Sequence, residues 1–262
     1  DHRDLHLYIR RQRQMCIRDS LLSLTFWISS LFYCSAEGGE YHLFILSGQS
    51  NMQGMNPNVG LMPEAKKLFG NTQVKFIKIA KGGRPIRLWV DEWNSIAEKH
   101  SLKARIEKTE FYKPILNEFS KVVEQFDQPK SITFCWMQGE RDAKENLSAA
   151  YEDSLNQLIK NLRRDLKRPN MNFVIGRISD HIKETHKSWT DVRKAQIKVS
   201  KDDPLGAWVD CDDLNNMIGR DGKMKDDLHY TKAGYELLGR RFARQSNYLT
   251  KGIKPSSNGR PE

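Results

Sequence analysis

Cysteine is scarce, with four residues in 262. Cys16 and Cys34 fall in the first 36 residues, while Cys135 and Cys211 each sit beside an apolar run. There is no Cys-x-x-Cys pair and no Cys/His spacing of the zinc-binding type, which argues against a structural zinc module. Spacing alone leaves Cys135 and Cys211 open as one disulfide or two buried thiols, since it does not bring their α-carbons within bridging range. Beyond residue 36 there is no apolar run of membrane-spanning length, and a mean hydropathy of −0.68 excludes a multi-span membrane protein. Internal repeats are absent. So is any dense Lys/Arg run interleaved with aromatics, and the net charge of +10 is spread through the chain. That spread does not support nucleic-acid binding and fits attraction to acidic glycans or anionic surfaces.

What is present is globular composition, 38% hydrophobic and 29% charged, in a chain long enough for one domain with a substantial core. The N-terminal stretch LLSLTFWISSLFYCSA, residues 21–36, follows a basic flank and reads as a secretory signal with a small-residue cleavage site. It is too short and too Ser-rich for a stable membrane span. The preceding RRQRQMCIRDS resembles translated sequencing-adapter read-through, so residues 1–36 carry no fold argument. The expected organisation is a leader over 1–36, a single domain over 37–250, and a disordered Pro/Gly/Ser-rich tail over 251–262. The leader implies a secreted or periplasmic protein.

Along the body, apolar runs alternate with amphipathic segments. Strands are expected at residues 42–46, 74–80, 131–137, 171–178 and 206–210. Helices are expected at 111–126, 147–166, 189–199 and 231–248, the last with Thr231 as its N-cap. Residues 84–110 lack clear periodicity and read as a surface excursion, in which Trp89 and Trp93 either pack the loop or line a cleft. Continuous apolar strands separated by helices indicate an α/β fold, with a parallel sheet of about five strands covered on both faces. Such sheets hold ligands at the carboxyl ends of their strands.

The chemistry-bearing residues follow the strands. FILSGQSNMQGM, residues 44–55, runs apolar and then stops at small polar residues, presenting Ser50 on a turn. Gly82 and Gly83 follow the second strand and can bring backbone N–H groups close to a ligand. WMQGERD, residues 136–142, follows the third and offers the Gln138 amide. Asn51, Glu140 and Asp142 read as supports for these loops, with a direct acid/base role open for Glu140. In DDLHYTKAG, residues 226–234, Asp226 precedes His229 by three, a spacing that lets a carboxylate hold one imidazole nitrogen while the other serves a serine. Asp227 is adjacent and competes for that role. A serine hydrolase needs this set: nucleophile, base, orienting acid and oxyanion donors.

These four pieces in this order resemble the SGNH/GDSL hydrolases, and most closely the sialate O-acetylesterase-type domain and the related family-six carbohydrate esterases, which include acetylxylan esterases. The resemblance spans residues 41–243. It implies a three-layer α/β/α sandwich with a flavodoxin-like sheet. It implies Ser50 as nucleophile, His229 as base and Asp226 as orienting acid, with Ser50, Gly82, Gly83 and Gln138 forming the oxyanion hole. No metal or organic cofactor is implied. Acetylated carbohydrate is the implied substrate. The family often continues its glycine pair as GGTS, whereas here Arg84 and Pro85 follow. Arg84, Arg87 and Trp89 are therefore substrate-binding candidates, through a cationic rim suited to an acidic glycan. A non-catalytic glycan-binding module and a general or lipid esterase on the same fold are the alternatives.

Overall fold

The computed structural model describes residues 39–261 apart from 71, 183, 219–221 and 223. The leader read at residues 1–36 lies outside the described residues. Five strands, β1 (Tyr41–Gly48), β2 (Gln73–Ala80), β3 (Ser131–Met137), β4 (Asn172–Gly176) and β5 (Gly206–Val209), form one parallel sheet in the order β2-β1-β3-β4-β5. A small antiparallel hairpin pairs β6 (Met217–Ile218) with β7 (Met224–Asp226). The helices are α1 (Ser50–Gly54), α2 (Leu61–Phe69), α3 (Trp93–Lys99), α4 (Tyr112–Phe126), α5 (Glu140–Lys144), α6 (Ser148–Asp165), α7 (Lys187–Asp202) and α8 (Lys232–Thr250). On one face of the sheet α2 packs with α8. On the other lie α4, α6 and α7, with α6 against α7. This is the three-layer, flavodoxin-like architecture that the resemblance implies.

Burial explains the strand pattern. β1 and β4 are buried at every position and β3 at all but its first, so both sheet faces meet helices and the strands read as continuous apolar runs. The covering helices bury one stripe each: Tyr112, Ile115 and Phe119 on α4, and Leu155, Leu158, Ile159 and Leu162 on α6. Thr231 caps α8 by accepting a hydrogen bond from the Gly234 N–H at 2.9 Å. Cys135 and Cys211 are buried free thiols, which burial makes harder to ionise. Among the described residues no helix is long and apolar enough to cross a membrane.

Two expectations change. Residues 84–110 are not a mere surface excursion: Ile86, Trp89, Val90 and Trp93 are fully buried in the core. Residues 251–261 are tied down rather than disordered. The Ser256 N–H donates to Gln245 Oε1 (3.0 Å), the Gly259 carbonyl accepts from the Asp210 N–H (2.8 Å), and Arg260 pairs with Asp210 (2.9 Å). Composition suggested a solvated tail, but its polar groups find partners on α8 and beyond the end of β5.

Candidate active site

The order of the sheet fixes where a site can form. The chain leaves β1 for β2 on one side and returns to β3 on the other, so the carboxyl ends of β1 and β3 splay loops in opposite directions and leave a crevice. At Gly48 the two strands press together. A β-carbon there would sit 2.0 Å from the Met137 carbonyl oxygen, and φ is +142°, so only glycine fits. The Gln49 N–H donates to that same carbonyl (2.9 Å), and the Lys81 N–H donates to the Gly48 carbonyl (3.1 Å). Three strand ends are thereby joined just before Ser50 opens α1.

A pocket of about 440 Å³ lies over this junction, lined by Gln49, Ser50, Gly82, Gly83, Glu140, Arg141, Lys144, Leu228 and His229. Ser50 and His229 thus share one cavity although 178 residues separate them in sequence. Asn51 links their segments. Its Nδ2 donates to the Leu228 carbonyl (3.1 Å) and to Glu140 Oε1 (2.9 Å), while its Oδ1 accepts from the Tyr235 hydroxyl (3.1 Å). The histidine loop is held from its other side as well. Asn215 Nδ2 donates to the Asp227 carbonyl (2.6 Å) and to its carboxylate (3.0 Å), and the Thr231 N–H donates to the Leu214 carbonyl (3.0 Å). Asp227 also faces His181 Nδ1 at 3.3 Å. Asp226 ends β7, paired across the hairpin with Met217.

Glu140 is buried on the pocket wall. Its Oε1 is held by Asn51, and its Oε2 has no hydrogen-bond partner among the described residues. Burial pushes its carboxyl up, against the lowering effects of its own backbone N–H, Asn51, His229 and Lys144. Asp142, one turn into α5, is fully buried and is pushed up to about 7 by burial, opposed by its bonds from Gln138 and the Ile86 N–H. The 2.9 Å bond from Ile86 anchors the loop after β2 to α5, and the 2.5 Å bond from Gln138 ties the end of β3 to it.

Residues 60–248 match the family model described as carbohydrate esterase, sialic acid-specific acetylesterase. The chain belongs to that family. The matched span contains Gln138 and His229 and begins after Ser50. Membership places this chain among the carbohydrate esterases. Its fold recurs in solved structures. A protein from Arabidopsis thaliana is 18% identical with a TM-score of 0.57, over 81% of this chain and 99% of that one. A carbohydrate acetylesterase from Xanthomonas citri is 15% identical with a TM-score of 0.58, over 82% of this chain, which spans only 57% of that relative's length. NanS is 14% identical with a TM-score of 0.57, over 79% of this chain and 96% of its own. At these identities the likeness is one of fold. No curated protein sequence matches the chain.

Within this esterase fold the expected site residues divide. Ser50, His229, Gly82, Gly83 and Glu140 line the pocket, with Asn51 directly behind it. Gln138 does not line it. Its side chain is fully buried, and its Nε2 donates to Asp142 Oδ2, the Arg84 carbonyl (3.1 Å) and Gln49 Oε1 (3.3 Å), which leaves no hydrogen for a ligand. The Gly82 N–H already donates to Gln53 Oε1 at 2.7 Å, whereas the Gly83 N–H has no partner among the described residues. Trp89 is core: it is fully buried, stacks on Phe111 at 4.5 Å and donates its indole N–H to Ser47 Oγ at 2.9 Å. Trp93 and Trp136 are buried too. Arg84 is exposed and does not line the pocket, and Arg87 pairs with Glu145 at 2.6 Å. The cations on the pocket wall are instead Arg141 and Lys144, three apart and so on one face of α5. Their spacing after QGE is visible in the sequence, but a short helix at that point is not.

Proposed function

We propose that the protein is a carbohydrate O-acetylesterase in which Ser50 is the nucleophile, His229 the general base and Asp226 the acid that orients it. The observation that carries this reading is that Ser50 and His229 line one pocket at the topological switch point of the sheet. Asp226 is favoured over Asp227 because Asn215 and His181 occupy the Asp227 carboxylate. In the reaction Ser50 Oγ forms a bond to the acetyl carbonyl carbon as the imidazole takes its proton. The carbonyl π pair moves onto oxygen and is stabilised by the N–H groups of Ser50 and Gly83. Collapse breaks the ester C–O bond, and the imidazolium protonates the departing sugar oxygen. Water then releases acetate by the reverse use of the same groups. Arg141 and Lys144 favour an acetylated sugar that carries a negative charge near the scissile ester, as sialate or an acidic polysaccharide would. The signal-like segment before residue 37 supports action outside the cytoplasm.

The test is hydrolysis of p-nitrophenyl acetate, butyrate and octanoate by the wild-type chain and by Ser50→Ala, with folding checked by circular dichroism. The reading expects acetate to be preferred and Ser50→Ala to fall on the order of 10⁶ in turnover, the scale seen when a hydrolase nucleophile is removed. Preference for octanoate replaces the carbohydrate reading with a lipid esterase, and equal activity in both proteins removes Ser50 as nucleophile. An inert, folded wild-type chain that still binds acetylated glycans would be a binding module.

A further inference from the structure

We propose that Gln49, rather than Gln138, supplies the side-chain hydrogen-bond donor of the oxyanion hole, a role that rests on Ser50 acting as the nucleophile. The argument is one of donor and acceptor bookkeeping through three buried side chains. The Arg84 carbonyl only accepts, and so does the Asp142 carboxylate once ionised, as at pH 8, so Gln138 must present its Nε2 to them. That same Nε2 reaches Gln49 Oε1 at 3.3 Å, and the Arg141 backbone N–H reaches it at 3.2 Å. Both groups that face Gln49 from α5 and from the end of β3 are donors. The Gln49 amide therefore has one orientation, with its oxygen turned inward and its Nε2 turned away from the network.

The side-chain hydrogen bonds of Gln49 among the described residues are made through its Oε1. Gln49 is only 4% exposed, yet it lines the pocket beside Ser50. An amide N–H₂ on a largely buried side chain, fixed in orientation and on the pocket wall, is suited to a negative oxygen that appears only during reaction. Because the network fixes its direction beforehand, the donor does not reorganise when charge develops. Gln138 then acts as a positioning residue, selecting which end of the Gln49 amide faces the substrate, and Asp142 selects the orientation of Gln138.

The test uses Gln49→Glu and Gln49→Ala in the full chain. Glutamate keeps an oxygen for the Arg141 N–H and Gln138 Nε2, so it preserves the bracing while putting a charged acceptor where the donor was; Gln49→Ala removes the donor without adding charge. The expected result at pH 8 is a kcat for acetyl esters lower by about 10²–10³ in both variants, with KM within about threefold and the unfolding temperature of Gln49→Glu close to wild type. Phosphorylation of Ser50 by diethyl p-nitrophenyl phosphate should slow in parallel, since its transition state also loads the hole. Gln49→Glu retaining kcat within threefold of wild type overturns the proposal. So does a loss in Gln49→Ala that Gln49→Glu restores, which would mark a bracing role. A wild-type chain that neither hydrolyses acetyl esters nor reacts with the organophosphate removes the esterase reading and this donor with it. An active wild type with an active Gln49→Glu removes the donor alone.

Discussion

Trp89 marks the distance between a residue's type and its place. An aromatic in an unpatterned stretch after a glycine pair fits a sugar platform, but here the indole is fully buried, with its N–H on Ser47. Trp89→Phe should therefore lower stability by about 1–3 kcal/mol, the cost of leaving a buried polar partner unmatched. It should leave KM for acetylated substrates within about twofold. Urea unfolding and steady-state kinetics read the two effects separately, and a raised KM at unchanged stability would return Trp89 to the pocket. The amides teach the same lesson. Ser50 and the glycine pair stood out in the sequence because each follows a strand end, and His229 because it precedes the last helix in an Asp-x-x-His spacing. Which of Gln49 and Gln138 faces the pocket was not legible, since that depends on Asp142 and the Ile86 N–H, groups drawn together only by folding.

The strands were legible nearly to the residue because both of their faces are buried, which turns burial into an uninterrupted apolar run. The long helices were legible for the complementary reason, a single buried stripe. What escaped were short elements. α2 carries Pro63 in its first turn, where the missing N–H costs no helical bond but where the residue reads as a breaker. α3 buries only Trp93 and Ala97, and the β6–β7 hairpin has too few residues to show alternation. One terminus was legible in detail, the Thr231 cap of α8. It matters beyond the helix, because Thr231 lies two residues after His229 and its N–H holds the Leu214 carbonyl. Thr231→Ala should cost about 1 kcal/mol of stability, and Thr231→Ser should recover most of it. Thermal unfolding of the pair checks this; equal losses in both would mean that the methyl, not the hydroxyl, is what matters.

Across the whole molecule two buried groups set opposing responses to pH. His42, on β1 with Nδ1 2.6 Å from Ser131 Oγ, is pushed down to about 4 by burial and by Lys130. Its folded value is below its unfolded value of 6.5, so its contribution to stability is present above pH 6.5 and is lost as pH falls toward 4. Asp142 is raised from 3.8 to about 7, so its contribution is present below pH 3.8 and is lost as pH rises through 7. Between about pH 4 and 6.5 the two slopes offset each other. Asp142→Asn removes one of them, so its unfolding temperature relative to wild type should climb as pH rises from 4 to 7. His42→Phe removes the other, so its difference from wild type should fall between pH 4 and 6.5. Parallel melting profiles for wild type and either variant would mean that the substituted group does not titrate in that window.

The segment over residues 251–261 bears on how copies of this chain meet one another. β5 is an outer strand, and the N–H that follows it, on Asp210, points away from the sheet into the Gly259 carbonyl. Gly259 has a φ of +69° and lies so close that a β-carbon would come within 2.7 Å of the Trp208 ring, which seats the segment flush against the margin. Arg260 then straddles Asp210 and Asp213. Open strand margins are templates for sheet-to-sheet addition and fibrous growth. In this molecule the chain's own residues 259 and 260 take up the backbone and carboxylate groups just past the end of that margin, and the Gln245 side chain takes the Trp208 carbonyl, like a selvedge on the sheet.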